Sequence, residues 1–222
     1  TIGNLCKSSI RNGSMSNSNK LQHALIVITH PDTQSLSHQI AQYISHDLTD
    51  KGVSVEIADL YKEGFQALMT LSDIEAYRGR QALDAEVQFE QARFDRADVV
   101  YFIFPVYWWS VPAFLKGWFE RVFSQDWAYK YDEQGNLLGT LKNIPVKLIG
   151  TATGTQSGYD RQGYTQAIHK QIVEGIFAYC GIDDVQTSML FKADFIQADD
   201  LKVFFEELDQ TVLSQSQINT NA

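Results

Sequence analysis

At 222 residues and 44% hydrophobic, the chain is long enough for one α/β domain with a substantial core. A formal net charge of −9 without a basic stripe argues against nucleic acid and anionic membrane surfaces as partners, though not against a dinucleotide, which needs only a local anion site. Cys6 and Cys180 have no metal or redox spacing, and there is no membrane-spanning apolar run or signal-peptide core, so a reducing, cytoplasmic setting without membrane insertion is expected.

Residues 1–20 are rich in Ser, Asn, Gly and Lys, and Gly13-Ser14-Met15 resembles a cloning scar. This leader is set aside. A single domain is expected over residues 21–215, with 216–222 as a tail. Ala24 to Thr29 is a continuous apolar run, the pattern of a strand buried on both faces. A polar turn from His30 to Ser35 follows, and then a helix with Leu36, Ile40, Tyr43, Ile44 and Leu48 on one face and Ser35 as its N-cap. Strand, turn and capped helix make an anion site, because free N–H groups and the helix dipole favour phosphate. No Gly-x-Gly-x-x-Gly is present, so the dinucleotide-binding fingerprint is missing.

Val53 to Leu60 alternates as a second strand, and Asp84 to Ala97 reads as a crossover helix; between them, residues 61–83 are polar with short helical turns around Ser72 to Arg80. A third strand runs from Asp98 to Phe104. It empties into a loop with two prolines and three consecutive aromatics, Pro105, Val106, Tyr107, Trp108, Trp109, Ser110, Val111 and Pro112. Packing or a protein interface can use such a run. A flat aromatic ligand suits it better, because the rings stack and desolvate while rigid backbone offers N–H groups to a polar edge. A helix follows from Ala113 to Phe123.

Residues 125–141 form an excursion longer than an ordinary α/β loop, with a turn at Asp132 to Asn136. Pro145 to Gly150 is a fourth strand. It opens into Thr151, Ala152, Thr153 and Gly154, small residues past which main chain can approach a ligand closely. A helix over Thr165 to Tyr179, a strand over Val185 to Leu190 and a closing helix over Asp199 to Leu213 complete the chain. Five strands alternating with helices predict a doubly wound parallel sheet. The order 2-1-3-4-5 would bring the loops after strands one, three and four to one edge, where together they suit a phosphate joined to a flat ring system; a nucleotide would fit, though the aromatic loop suits a tricyclic ring better than a base.

On these residues the chain resembles the flavin-dependent NAD(P)H:quinone oxidoreductases of flavodoxin-like fold, including the ancillary subunits of bacterial Kef potassium-efflux systems. The most specific piece is Phe104 to Phe123, supported by His30-Pro31 with Ser35-Leu36-Ser37, by Trp127 to Tyr131, and by Thr151 to Gly154 with Tyr159, Gln162 and Gly163. The resemblance implies that His30, Ser35, Leu36 and Ser37 hold the phosphate end of a flavin, FMN or FAD. It implies that Pro105, Val106, Tyr107, Trp108 and Trp109 line the isoalloxazine, and that Thr151, Ala152, Thr153, Gly154 and the Tyr159 hydroxyl flank its N1/O2 edge. Tyr129 and Tyr131 would shape the pocket for nicotinamide and then quinone, from the partner in a homodimer. The implied activity is ping-pong hydride transfer from NADH or NADPH, through the flavin, to a quinone-like acceptor. A regulatory subunit of a potassium-efflux system and a flavodoxin-type electron carrier are the alternatives. Two positions depart from the family pattern: Thr165 stands where a histidine partner of the tyrosine is usual, and Thr153 where glycine is. His169 lies one helical turn beyond Thr165.

Overall fold

The computed structural model describes residues 21–208. The leader with Cys6 and the 216–222 tail lie outside them. Strand β1 (His23–Ile28) is buried from Ala24 onward. Helix α1 (Leu36–Asp50) starts at Ser35, whose side chain accepts the His38 N–H, and it buries Ile40, Ala41, Ile44 and Leu48. Strand β2 (Ser54–Asp59) pairs parallel to β1. Short helices α2 (Leu60–Glu63) and α3 (Leu71–Tyr77) occupy the polar stretch before α4 (Ala85–Arg96). Strand β3 (Val99–Pro105) is buried throughout and leads to α5 (Ala113–Val122).

The five-stranded sheet runs β2-β1-β3-β6-β7, with β6 at Val146–Thr151 and β7 at Val185–Leu190. Every pairing in it is parallel. This is in line with the expected 2-1-3-4-5, because the two intervening strands, β4 (Tyr129–Tyr131) and β5 (Leu137–Gly139), form a separate two-stranded sheet. Alternation along β3 builds two cores. Val100, Phe102 and Phe104 face Trp118 and Phe119 of α5, whereas Val99, Tyr101 and Ile103 share the other cluster with Ile40 and Ile44 of α1 and Phe204 of α8 (Ala198–Leu208). The part of the expected closing helix beyond Leu208 is outside the described residues.

Two regions differ from the sequence reading. The excursion is a hairpin, β4 (Tyr129–Tyr131) with β5 (Leu137–Gly139), too short for its alternation to show. Asp132 shapes its turn by accepting the N–H groups of Gln134 and Asn136. Gly139 docks it, since a Cβ there would lie 2.3 Å from the Gly181 nitrogen. The expected helix over Thr165 to Tyr179 begins earlier, as α6 (Gln156–Gln162) capped by the Thr155 side chain, and breaks at Gly163 with φ 75°. It resumes as α7 (Tyr164–Ile168), winds as a π-helix over His169–Phe177, and ends through a 3-10 turn at Gly181. Glycine at position 163 permits the break, and the tighter and wider turns follow from packing.

The stretch over residues 61–83 is held by Arg121 of α5. Its buried guanidinium binds Asp73, Asp84 and Glu86 and donates to the Gln66 carbonyl. Gly117, one turn earlier, lets the Ala67 carbonyl sit where a Cβ would be, 1.9 Å away. Arg93 of α4 similarly ties Glu56, Glu63 and Glu90 together, and Glu90 also accepts the Trp118 indole N–H. Among the described residues, no helix is long and apolar enough to cross a membrane.

Candidate functional site

A cleft of about 670 Å³ opens at the carboxyl ends of β1, β3 and β6, where strand order reverses. From the first loop it takes His30, Asp32, Ser35, Leu36 and Ser37. His30 Nδ1 lies 3.0 Å from the Asp32 N–H and 3.2 Å from the Asp32 carbonyl. That carbonyl already accepts the Ser35 N–H at 3.1 Å. Nδ1 is therefore best used as the acceptor, which puts the ring proton on Nε2. Among the described residues Ser37 Oγ is buried with no hydrogen-bond partner, yet the residue lines the cleft. With the open first turn of α1 these groups make an anion cradle.

The loop after β3 is tied down by the Val106 N–H, which donates to the Thr151 carbonyl at 2.7 Å. Tyr107 and Ser110 exchange both backbone hydrogen bonds, at 3.1 and 3.2 Å. The two residues between them have positive φ, 49° for Trp108 and 55° for Trp109, the pattern of a type I′ turn. Bulky side chains are uncommon there, and such strain gathers at functional sites. Neither tryptophan N–H finds a backbone acceptor among the described residues. Pro105, Val106, Tyr107 and Trp108 line the cleft. Trp109 does not; its ring stacks on Tyr164 at 4.4 Å.

From the loop after β6, Thr151 and Thr153 reach the cleft. Ala152 and Gly154 stand behind them, bound to the chain after β7: Ala152 donates to Leu190 and accepts from Ala193, and Gly154 accepts from Lys192. These bonds carry Ala193 and Asp194 into the cleft wall. Tyr159 does not line the cleft; it is buried beneath Gly154, where a Cβ would lie 2.9 Å from its ring. Burial, then the neighbouring Tyr164, push its pKa up, so the phenol stays protonated as a donor. Thr165 is outside the cleft and its hydroxyl donates to Asp160 at 2.9 Å. His169 is exposed, 3.5 Å from Glu174 on the same helix.

Tyr129 and Tyr131 are not in this cleft. Tyr129 lines a separate depression of about 150 Å³ with Phe119, Ile176 and Tyr179. The Tyr131 and Tyr179 hydroxyls are 3.4 Å apart, and that hydrogen bond, with a smaller contribution from burial, pushes Tyr179 up to about 12. Sequence reasoning missed Asp32, Ala193, Asp194 and Tyr179. Asp32 was within reach, lying between His30 and Ser35. The others sit in segments with no motif.

The family model for the flavodoxin-like fold matches residues 22–212. The chain belongs to the flavodoxin-like fold family. Within that family it is 30% identical over 164 residues, 73% of this chain and 80% of the relative, to an uncharacterized NAD(P)H oxidoreductase of Haemophilus influenzae. It is 32% identical over 192 residues to NAD(P)H dehydrogenase [quinone] 1 of Rattus norvegicus, covering 77% of this chain and 69% of that one. Among solved flavodoxin-like structures, an NAD(P)H:quinone oxidoreductase from Methanothermobacter marburgensis superposes with a TM-score of 0.76 at 25% identity, over 86% of this chain and 96% of that chain.

Proposed function

We propose that this chain is a flavin-dependent oxidoreductase that takes hydride from NADH or NADPH and delivers it to quinone-like acceptors, one substrate at a time. The observation that carries the reading is the convergence of an anion cradle, a strained aromatic turn and a small-residue loop on one cleft. The names of the relatives agree with it. The residues fit the cofactor: Ser37 Oγ is buried without a partner, and the N–H groups of Trp108 and Trp109 have no backbone acceptor among the described residues.

A flavin bound there would supply two-electron hydride chemistry that no side chain provides. His30 Nε2, the Ser35 and Ser37 hydroxyls and the first N–H groups of α1 would hold its phosphate, a group common to FMN and FAD. Tyr107 and Trp108 would wall the ring, with the turn's N–H groups as donors to its polar edge. Thr151, Ala152, Thr153 and Gly154 would bound the opposite edge, and Tyr159, kept protonated, would offer a hydrogen bond where negative charge develops. Tyr129 and Tyr131 lie outside their own chain's cleft, so in a homodimer they would close the partner's cleft over the nicotinamide or quinone.

The absorption spectrum of the purified or flavin-reconstituted protein, with release and mass measurement of the chromophore, tests the cofactor. Steady-state turnover tests the order of events, since one shared pocket requires parallel double-reciprocal lines for NAD(P)H and quinone. A protein that retains no flavin after reconstitution overturns the reading, and intersecting lines overturn the shared pocket.

A further inference from the structure

Behind the anion cradle lies a hydrogen-bonded chain that no step above uses. His38 is buried on the first turn of α1, with Nε2 3.0 Å from Asp59 Oδ2 and Nδ1 2.9 Å from Ser35 Oγ. The other Asp59 oxygen accepts the Lys62 N–H at 3.2 Å. An ionised carboxylate only accepts, so Nε2 carries the proton of the neutral imidazole and Nδ1 is left as the acceptor. Ser35 must then donate its hydroxyl proton inward, to His38. The Ser35 oxygen also accepts the His38 backbone N–H as the helix cap, at 3.4 Å. In this state Ser35 turns no donor toward the cleft it lines.

We propose that Ser35, His38 and Asp59 form a proton-responsive relay under the cleft, in which protonation of His38 turns the Ser35 hydroxyl outward and tightens the hold on a ligand's phosphate. The inference rests on the flavin reading above. With a second proton on the ring, Nδ1–H donates to Ser35 Oγ, and the serine proton is released to point at the anion. Asp59 balances the imidazolium charge from the far side. The cleft has an independent mark of a built anion site, the unpartnered and buried Ser37 Oγ. His38 is thus a positioning residue that acts through Ser35.

The charged and titratable groups around His38 come from three elements. The loop after β1 contributes His30, whose ring lies edge-on at 6.5 Å, and Asp32. Strand β2 contributes Asp59, and α2 contributes Lys62 and Glu63, the latter held by Arg93. His30 lines the cleft directly, so only a change at His38 or Ser35 isolates the relay.

Flavin-stripped protein, titrated with FMN and with riboflavin from about pH 5 to about pH 8, the range in which histidine changes charge, tests this by fluorescence quenching. In the parent, the ratio of FMN to riboflavin affinity should exceed that of His38→Gln by about tenfold at the acid end, the worth of one hydrogen bond to a charged group. The excess should vanish at the alkaline end. Protonation of the phosphate itself, near pH 6, works in the opposite direction and equally in every variant. Ser35→Gly, which keeps an acceptable helix cap, should lose the same excess and decides the matter if His38→Gln does not fold. Superimposable pH profiles for parent and variants overturn the relay. Failure of the parent to bind riboflavin, FMN or FAD at any pH overturns the flavin reading, and the relay with it.

Discussion

Replacing Trp108 with asparagine should stabilise the flavin-free protein and weaken its hold on flavin. Trp108 sits at φ 49° in the turn between Tyr107 and Ser110, a conformation that costs an ordinary L-residue roughly 1–2 kcal/mol and that asparagine adopts readily. The native tryptophan repays little of this cost within its own chain. It is 86% exposed, and among the described residues its one ring contact is edge-on to Trp109 at 5.5 Å. Losing that contact offsets part of the gain, leaving a net stabilisation of about 1 kcal/mol, or a rise in Tm of roughly 2–4 °C for a chain of this size. The backbone N–H groups of the turn remain. The aromatic wall is lost, which should weaken flavin binding by on the order of 1 kcal/mol, about fivefold in Kd. Thermal melts of the flavin-stripped proteins and fluorescence titration with flavin read the two effects separately. A Tm lowered by several degrees would refute the strain argument and make the ring a packing element. Unchanged flavin affinity would remove the side chain from the site.

Gly117→Ala should destabilise the protein by about 1–3 kcal/mol or more, seen as a lower urea midpoint, because the new methyl would fall 1.9 Å from the Ala67 carbonyl oxygen. Tyr159→Phe should slow flavin reduction by NAD(P)H about tenfold in stopped flow, as for loss of a hydrogen bond to developing charge, whereas Thr165→Val should do less because that hydroxyl is already given to Asp160. For Asp73, burial pushes the carboxyl up, but hydrogen bonds from Arg121 and Thr70 outweigh it and hold it below the usual range. Its stabilisation is therefore present above the unfolded value near pH 3.9 and is lost as pH falls through the lower folded value. Asp73→Asn should accordingly cost on the order of 3 kcal/mol at neutral pH, with a gap to the parent that narrows as pH falls below the unfolded value; a gap that does not change with pH would show that packing, not charge, is at stake.

The features legible in the sequence were local ones. Ala24 to Ile28 and Val99 to Phe104 are apolar without interruption because both faces of their sheet are covered, and no partner need be known to see that. Ser35 announces the start of α1 because a cap acts within its own turn. The aromatic loop was visible because three consecutive aromatics on a loop are costly to expose, and most of the cleft's lining residues followed from the three strand ends. What the tertiary structure alone decided depends on residues far apart in the chain. The stretch over 61–83 reads as polar with short helical turns, and what fastens it is Arg121, 48 residues beyond Asp73, which binds that carboxylate and the Gln66 carbonyl. Asp194 enters the cleft only through the backbone bonds that fasten Gly154 and Ala152 to the chain after β7. Tyr129, expected with Tyr131 to shape the pocket from the partner in a homodimer, lines a separate depression of its own chain, on a hairpin whose docking depends on Gly139 meeting Gly181. Two tryptophans side by side are a composition; both hold left-handed backbone in the turn closed by the Tyr107–Ser110 bonds, and the Val106 N–H fastens that turn to the distant Thr151 carbonyl.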